Sequence, residues 1–398
     1  MKKVNDLEWI CGLVAVGVAG CGPSTPASSA PTTAEVAPVL ETYANILHAG
    51  YEDSATRGAA LEAAVAALVA SPSEATLTAA REAWVASRPP YLQTEIARYY
   101  GGPIDNPDND QDGRINSWPL DEAYLDYVQG PPPDFVEIVG GLVNDPMTLP
   151  TIDEASLAAL NGAGAEENVS LGYHAIEFLL WGQDLYEDSP GRRPATDFVD
   201  GMRENADRRR AYLSAATGIL AGDLEYLEGQ WREGEANYRR GFVALDAHEG
   251  LTRIFTGLVT LSGFELAGER LLVAWRSTEQ EDEHSCFSDT TWQDGLYDQI
   301  GIENVYLGRY ERIDGTMVQG PSLSDLVRAR DAMLDMEIRE ALDASEAALR
   351  AIPQPFDQAL LDAQGRTRIR TAIDLIQAQT ELLAQAARLL GVEVMIEE

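Results

Sequence analysis

From Leu40 to Val69, apolar and small residues recur at spacings of three and four, the period of a helix with one buried face. Ser71-Pro72-Ser73 interrupts the pattern, and Glu74 to Ser87 resumes it. The same period predicts helices over Leu157–Asn161, Ser170–Leu180, Thr196–Ala221, Tyr238–Arg276, Leu323–Ala351 and Ala359–Leu390. Pro89-Pro90 is expected to break or restart a helix, because proline lacks the amide donor and crowds the preceding turn. No alternating run long enough for a convincing strand is present, so the expected class is all-α.

Two stretches interrupt this helical grammar. Gly101 to Pro150 is rich in Pro, Asp, Asn and Gly, and Glu279 to Gly320 reads as a second irregular segment. Each half thus carries one long insertion, which suggests two bundle-like helical halves, a duplicated bundle. Asp188-Ser189-Pro190-Gly191 is turn chemistry and places the cut between halves 39–190 and 191–398.

The first residues follow a different pattern. Lys2 and Lys3 precede an apolar and small-residue run from Trp9 to Gly20. That run is short of the roughly 20 apolar residues that span a bilayer, but it suits a signal segment, 1–20. It ends in Val18-Ala19-Gly20-Cys21, which resembles the lipobox of bacterial lipoproteins, where the cysteine thiol is acylated. The resemblance implies export and a lipid anchor at Cys21, in the periplasm or on the outer membrane, with Gly22 permitting outer-membrane sorting. Residues 21–38 are mostly Pro, Ser, Thr and Ala and read as a disordered tether.

Composition adds two constraints. Among 398 residues, 45% are hydrophobic and 24% charged, the balance of a globular chain. The net charge of -36 argues against sequence-independent nucleic-acid binding and adhesion to anionic lipid, and it favours solubility and attraction of cations. With Cys11 in the signal segment and Cys21 lipidated, only Cys286 remains in the mature chain, so no internal disulfide is expected.

The sharpest chemistry lies in Gly172-Tyr173-His174-Ala175-Ile176-Glu177. On a helix His174 and Glu177 project from one face. Imidazole and carboxylate at that separation suit iron, zinc or copper, and equally suit a buried histidine hydrogen-bonded to its neighbour. No His-Glu-x-x-His motif occurs, and Phe178 stands where an inverted zinc motif needs histidine. The four histidines, His48, His174, His248 and His284, lack helical ligand spacing from one another. Further candidates are Trp84, Arg88, Tyr91 and Glu95, and the Gly263-Phe264-Glu265-Leu266-Ala267-Gly268-Glu269-Arg270 segment, whose glycines would admit another helix closely. Asp108-Asn109-Asp110-Gln111-Asp112-Gly113-Arg114-Ile115 matches the first half of an EF-hand calcium loop, with Arg114 at the position that offers a backbone carbonyl. Pro119 replaces the twelfth-position glutamate, so this is either a calcium site that stiffens the loop or an acidic turn.

Taken together these stretches resemble the imelysin family, whose motif is G-x-H-x-x-E, and more specifically its iron-regulated protein A branch. Supporting stretches are Ile115 to Glu122, Glu265 to Arg270, Glu283 to Asp289 and Gly301 to Gly308. The resemblance implies an all-α fold with the histidine–glutamate motif near a cleft between two halves, and an association with iron uptake. Thr290-Thr291-Trp292 departs from the asparagine and histidine expected after Cys286-Phe287-Ser288-Asp289. The function expected is capture of iron or an iron-containing ligand, with His174 and Glu177 as ligands and Glu95, Glu265 or Glu269 completing the set. Arg88 or Arg270 would orient a carboxylate. A metal-dependent peptidase at the same cleft and a polysaccharide- or partner-binding surface protein are the alternatives.

Overall fold

The computed structural model describes residues 30–108, 111–130, 136–186 and 188–395. The signal segment, Cys21, the first half of the tether and Asp110 lie outside the described residues. The helices that build the site are α1 (Thr33–Ala70), α2 (Glu74–Leu92), α3 (Gly172–Trp181) and α4 (Ala206–Trp231), then α5 (Ala247–Thr260), α6 (Thr291–Leu307), α7 (Ala332–Arg350) and α8 (Ala363–Leu389). The first four pack as one bundle, with α1 against α2 and α4, and α3 against α2 and α4. The last four form a second bundle, in which α8 lies against α5 and α7, and α6 against α7. The class is all-α. Among the described residues the only strand pairs are two antiparallel ribbons, Val128–Gln129 with Glu137–Ile138 and Arg309–Glu311 with Met317–Gln319.

One continuous apolar core runs through both bundles, from Leu47, Trp84 and Phe178 to Leu258, Ile302 and Ile376. Helix α6 meets α2 across the seam. The site lies there.

Several boundaries differ from the sequence expectation. The tether ends earlier, because Thr32 caps α1: its hydroxyl accepts from the Glu35 amide, and the Glu35 carboxylate accepts from the Thr32 amide. Pro38 costs α1 one hydrogen bond at an exposed turn, and burial of Val36, Val39 and Leu40 outweighs that loss. Likewise α2 runs through Pro89-Pro90 to Leu92. The carbonyls those prolines leave free belong to Val85 and Ala86, half-buried and exposed respectively, where water reaches them. Helix α4 packs on α1, so the first bundle continues past the turn at residues 188–191. The largest difference is α6, a 17-residue helix inside the segment read as irregular. It was hidden because it is buried yet rich in Asp, Gln, Asn and Gly, with no apolar stripe to reveal its period.

Candidate functional site

Helix α3 is buried on every side, so it is held by its neighbours rather than by amphipathicity. It starts at Gly172, where φ is +83° and an added Cβ would lie 2.5 Å from the Ile115 carbonyl oxygen. Only glycine meets both demands. The far end is closed by Arg81, whose Nε and Nη2 donate to the Leu180 carbonyl at 3.1 and 2.8 Å. Trp84 donates from Nε1 to the Tyr173 carbonyl at 2.9 Å, fixing α3 to α2.

This framework sets His174 against Glu177, Nδ1 to Oε2 at 3.0 Å. The other oxygen, Oε1, accepts from the Ser288 amide at 3.0 Å and hydroxyl at 2.6 Å. With Glu177 ionised, Nδ1–H of His174 donates and Nε2 presents a lone pair. That Nε2 is buried and has no partner. Burial pushes the Glu177 carboxyl up to about 8, against the pull of Ser288, so the pair holds its proton close to neutrality. A cation at Nε2 favours the form with Glu177 ionised.

His284 repeats the arrangement from the opposite bundle. Its Nδ1 lies 2.7 Å from Asp294 Oδ2, which also accepts from the Ser285 hydroxyl. The two imidazoles meet edge to face with centroids 4.6 Å apart, and Trp118 packs on His174 at 5.0 Å. Burial lowers the proton affinity of both rings, reinforced by the neighbouring His284 at His174 and by Arg270 at His284. Both are neutral near pH 7.

Behind the imidazoles runs a buried charge network. Arg88 donates from Nε and Nη2 to Asp294 Oδ1 at 3.3 and 3.2 Å, and from Nη1 to Asn116 Oδ1 at 2.6 Å. Asn116 Nδ2 donates to Glu95 Oε1 at 2.7 Å. Glu95 Oε2 accepts from Arg270, which also binds Asp298 and Glu265. Tyr99 donates to Glu265 Oε2 at 3.0 Å. Burial opposes ionisation of Asp294, but Arg88, His284 and Ser285 outweigh it and hold the carboxyl far below its ordinary range. The Arg270–Glu265 contact spans five residues and forms because α5 continues as a π-helix over Leu261–Leu272. Gly263 in that segment does admit another helix, its position for a Cβ lying 2.9 Å from Thr380 of α8.

A cleft of about 470 Å³ opens onto this network, lined by Arg98, Asn116, Trp118, Glu265, Arg270 and His284. Its wall also holds Glu166, Glu269, Glu281 and Asp282, all at least partly exposed. That acidic mouth attracts cations. His174 and Glu177 do not line the cleft and lie behind His284 and Trp118.

The residues expected from sequence are therefore mostly brought together, in other roles than a ligand cage. Among the described residues no three His, Cys, Asp or Glu side chains converge to hold a metal ion. Glu177 anchors His174, Glu95 and Glu265 neutralise Arg270, and Glu269 stands exposed at the mouth. Arg270 has its donors taken up by protein carboxylates, and Arg88 by Asp294 and the Asn116 amide oxygen. In the expected calcium loop Asp108 is exposed, whereas Asp112 turns to Arg98 at 2.9 Å and Arg114 to Asp223 at 2.9 Å. Asp108 and Asp112 thus face different surroundings, and Asp110, between them, lies outside the described residues.

His284, Ser288, Asp294 and Asn116 were given no role from sequence. The signal available was the pair Asp294 and Asp298, spaced four apart and matching two otherwise unbalanced arginines, Arg88 and Arg270. The threonines at the departure after Asp289 are used as well. Thr290 bonds Ser288 at 2.8 Å, and Thr291 accepts from the Ser285 amide at 2.9 Å.

Comparison with known proteins agrees with this architecture. The imelysin model, Peptidase M75, matches residues 47–383. Iron-regulated protein A of Synechococcus elongatus is 24% identical over 343 residues, covering 84% of this chain and 80% of that protein. The crystal structure of an iron-regulated protein A precursor from Parabacteroides distasonis superimposes with a TM-score of 0.67 at 18% identity, covering 90% of this chain and 96% of the other. An imelysin-like protein from Psychrobacter arcticum gives 0.61 at 16% identity, with 90% and 98% covered.

Proposed function

This chain belongs to the imelysin family, and from that premise we propose that it captures iron, as the ion or within a small complex, at the paired imidazoles His174 and His284. The observation that carries the reading is the unpartnered, buried Nε2 of His174 beside a second imidazole whose Nδ1 is likewise tied to a carboxylate. A metal-binding histidine has this form: one ring nitrogen on a carboxylate, the other free, the ring neutral. Imidazole nitrogen suits iron, and the acidic mouth of the cleft gathers cations in front of it. The carboxylates Glu95 and Glu265 do not fit a ligand role, being bound to Arg270, so the remaining coordination belongs to water or to groups carried by an iron complex. His284 is the imidazole at the cleft wall, and access to His174 runs past it and Trp118.

Iron bound here reaches one or two imidazoles only, which suits reversible capture better than a closed site. The name of the Synechococcus relative, iron-regulated, agrees with an iron-linked role. The signal-like residues 1–20 and the Val18-Ala19-Gly20-Cys21 sequence support export and a lipid anchor at Cys21, so the cleft would serve iron uptake from a membrane surface. Metal content and iron titration of the purified protein beside a His174→Ala, His284→Ala variant test the site. Loss of about tenfold or more in affinity is expected, and equal iron binding by both proteins overturns it. Radiolabelled fatty acid incorporated by the wild type and absent from Cys21→Ala is the result expected for the anchor.

A further inference from the structure

Away from the cleft, four carboxylates meet at the base of the loop that carries His284 and Ser288. Asp184 follows α3, Glu283 and Asp289 flank the loop, and Asp357 comes from the short helix before α8. Their exposures are 4%, 1%, 7% and 1%. Among the described residues none of the four makes an ion pair within 4 Å, although buried arginines are paired throughout the seam. The only amide among their side-chain partners is Gln280, whose Nε2 reaches Asp184 Oδ2 at 2.8 Å and Asp357 Oδ2 at 3.3 Å. Both oxygens of Glu283 and Oδ1 of Asp357 are buried without a well-formed hydrogen bond, the Thr291 hydroxyl being the one donor side chain beside Glu283.

Burying four like charges without a counter-charge is strongly unfavourable. Two things remove the cost: protons, or a cation. Burial and the neighbouring carboxylates push Asp184 up to about 8 and Asp289 up to about 7, so the cluster holds protons as it stands, and no three side chains converge at ligand distance. Protons leave the Glu283 oxygens and Asp357 Oδ1 unused, however, whereas a cation engages them. We propose that Asp184, Glu283, Asp289 and Asp357 bind a hard divalent cation, calcium by donor type. The set is all oxygen, it includes the backbone carbonyl of Tyr186, which Gln280 contacts at 3.1 Å, and the Gln280 amide supplies a further oxygen on turning over. Binding needs side-chain rotation and releases those protons.

The cation would clamp the chain after α3 to the Glu283–Asp289 loop and to the segment before α8, and so hold the wall of the cleft. The claim is independent of the iron reading, since it uses neither imidazole.

The test is calorimetric titration of calcium into the chelator-treated full chain, with melting curves run alongside, for the wild type and an Asp289→Asn, Asp357→Asn variant. The wild type is expected to bind one calcium ion and to melt several degrees higher in its presence. The variant, relieved of like charges, is expected to fold with a Tm at or above that of the calcium-free wild type and to show no calcium response. Absence of binding heat and of a melting shift in the wild type overturns the proposal. So does a calcium response retained in full by the variant, which would place the ion elsewhere. Failure of iron binding in the His174→Ala, His284→Ala variant leaves this result unchanged.

Discussion

His174 and His284 come from opposite bundles and meet with ring centroids 4.6 Å apart, each holding a carboxylate on Nδ1. The pairing depends on two supports that lie outside the motif, Ser288 on Glu177 and Arg88 on Asp294. Neither support touches the free ring nitrogens, so each sets orientation rather than contact.

Ser288→Ala removes the hydroxyl that holds Glu177 Oε1 and leaves only the backbone amide there. Iron affinity is expected to fall by about tenfold, the usual cost of losing a group behind a metal-binding histidine. The fold should be retained, as read by an unchanged far-UV circular dichroism spectrum. An affinity equal to wild type would show that Glu177 needs no such anchor.

Gly172 sits at φ +83° against the Ile115 carbonyl. Gly172→Ala is expected to cost about 2–4 kcal/mol, from left-handed strain and the clash with backbone that must move. Denaturant unfolding measures it, and a loss under 1 kcal/mol contradicts the close approach.

Arg270 neutralises Glu95, Glu265 and Asp298, and all three lie in or beside the cleft floor. Arg270→Met leaves these carboxylates without their shared counter-charge and is expected to destabilise by about 3–5 kcal/mol. Adding Glu95→Gln and Asp298→Asn to that variant should restore much of the loss, because fewer buried charges then lack a partner.

Glu303 supplies a pH dependence away from both sites. Burial, helped by Glu346, raises its carboxyl to about 7, and its Oε1 has no partner. The folded chain therefore keeps a proton that the unfolded chain has lost, and stability falls as pH rises from about 4.5 to 7. Glu303→Gln mimics the protonated form. It is expected to match wild type near pH 4 and to be more stable by on the order of 1 kcal/mol at pH 8. A constant difference across that range would contradict the assignment.

Much of this was legible in the chain. Helices α1, α7 and α8 carry apolar positions at helical spacing, and the Gly172 to Glu177 motif sits on a short helix within a residue or two of the predicted Ser170–Leu180 stretch. Arg88, Glu95, Glu265 and Arg270 were singled out as separate weak constellations, and the fold joins them into one network. What periodicity could not reveal is α6. Its Asp294 and Asp298 are buried polar residues, and burial of a charge is set by partners distant in sequence, here Arg88 and Arg270. The role of Glu177 was hidden for a related reason. Spacing puts its carboxylate beside His174, but only the Ser288 contact from the other bundle shows that both oxygens are already taken.

The paired-imidazole site is tested most directly by iron K-edge X-ray absorption on the iron-loaded protein. Wild type is expected to show imidazole scattering from both rings, His284→Ala to lose part of it, and the His174→Ala, His284→Ala variant to lose all of it. An imidazole-free spectrum for wild type, or one unchanged in the double variant, would contradict iron capture by His174 and His284.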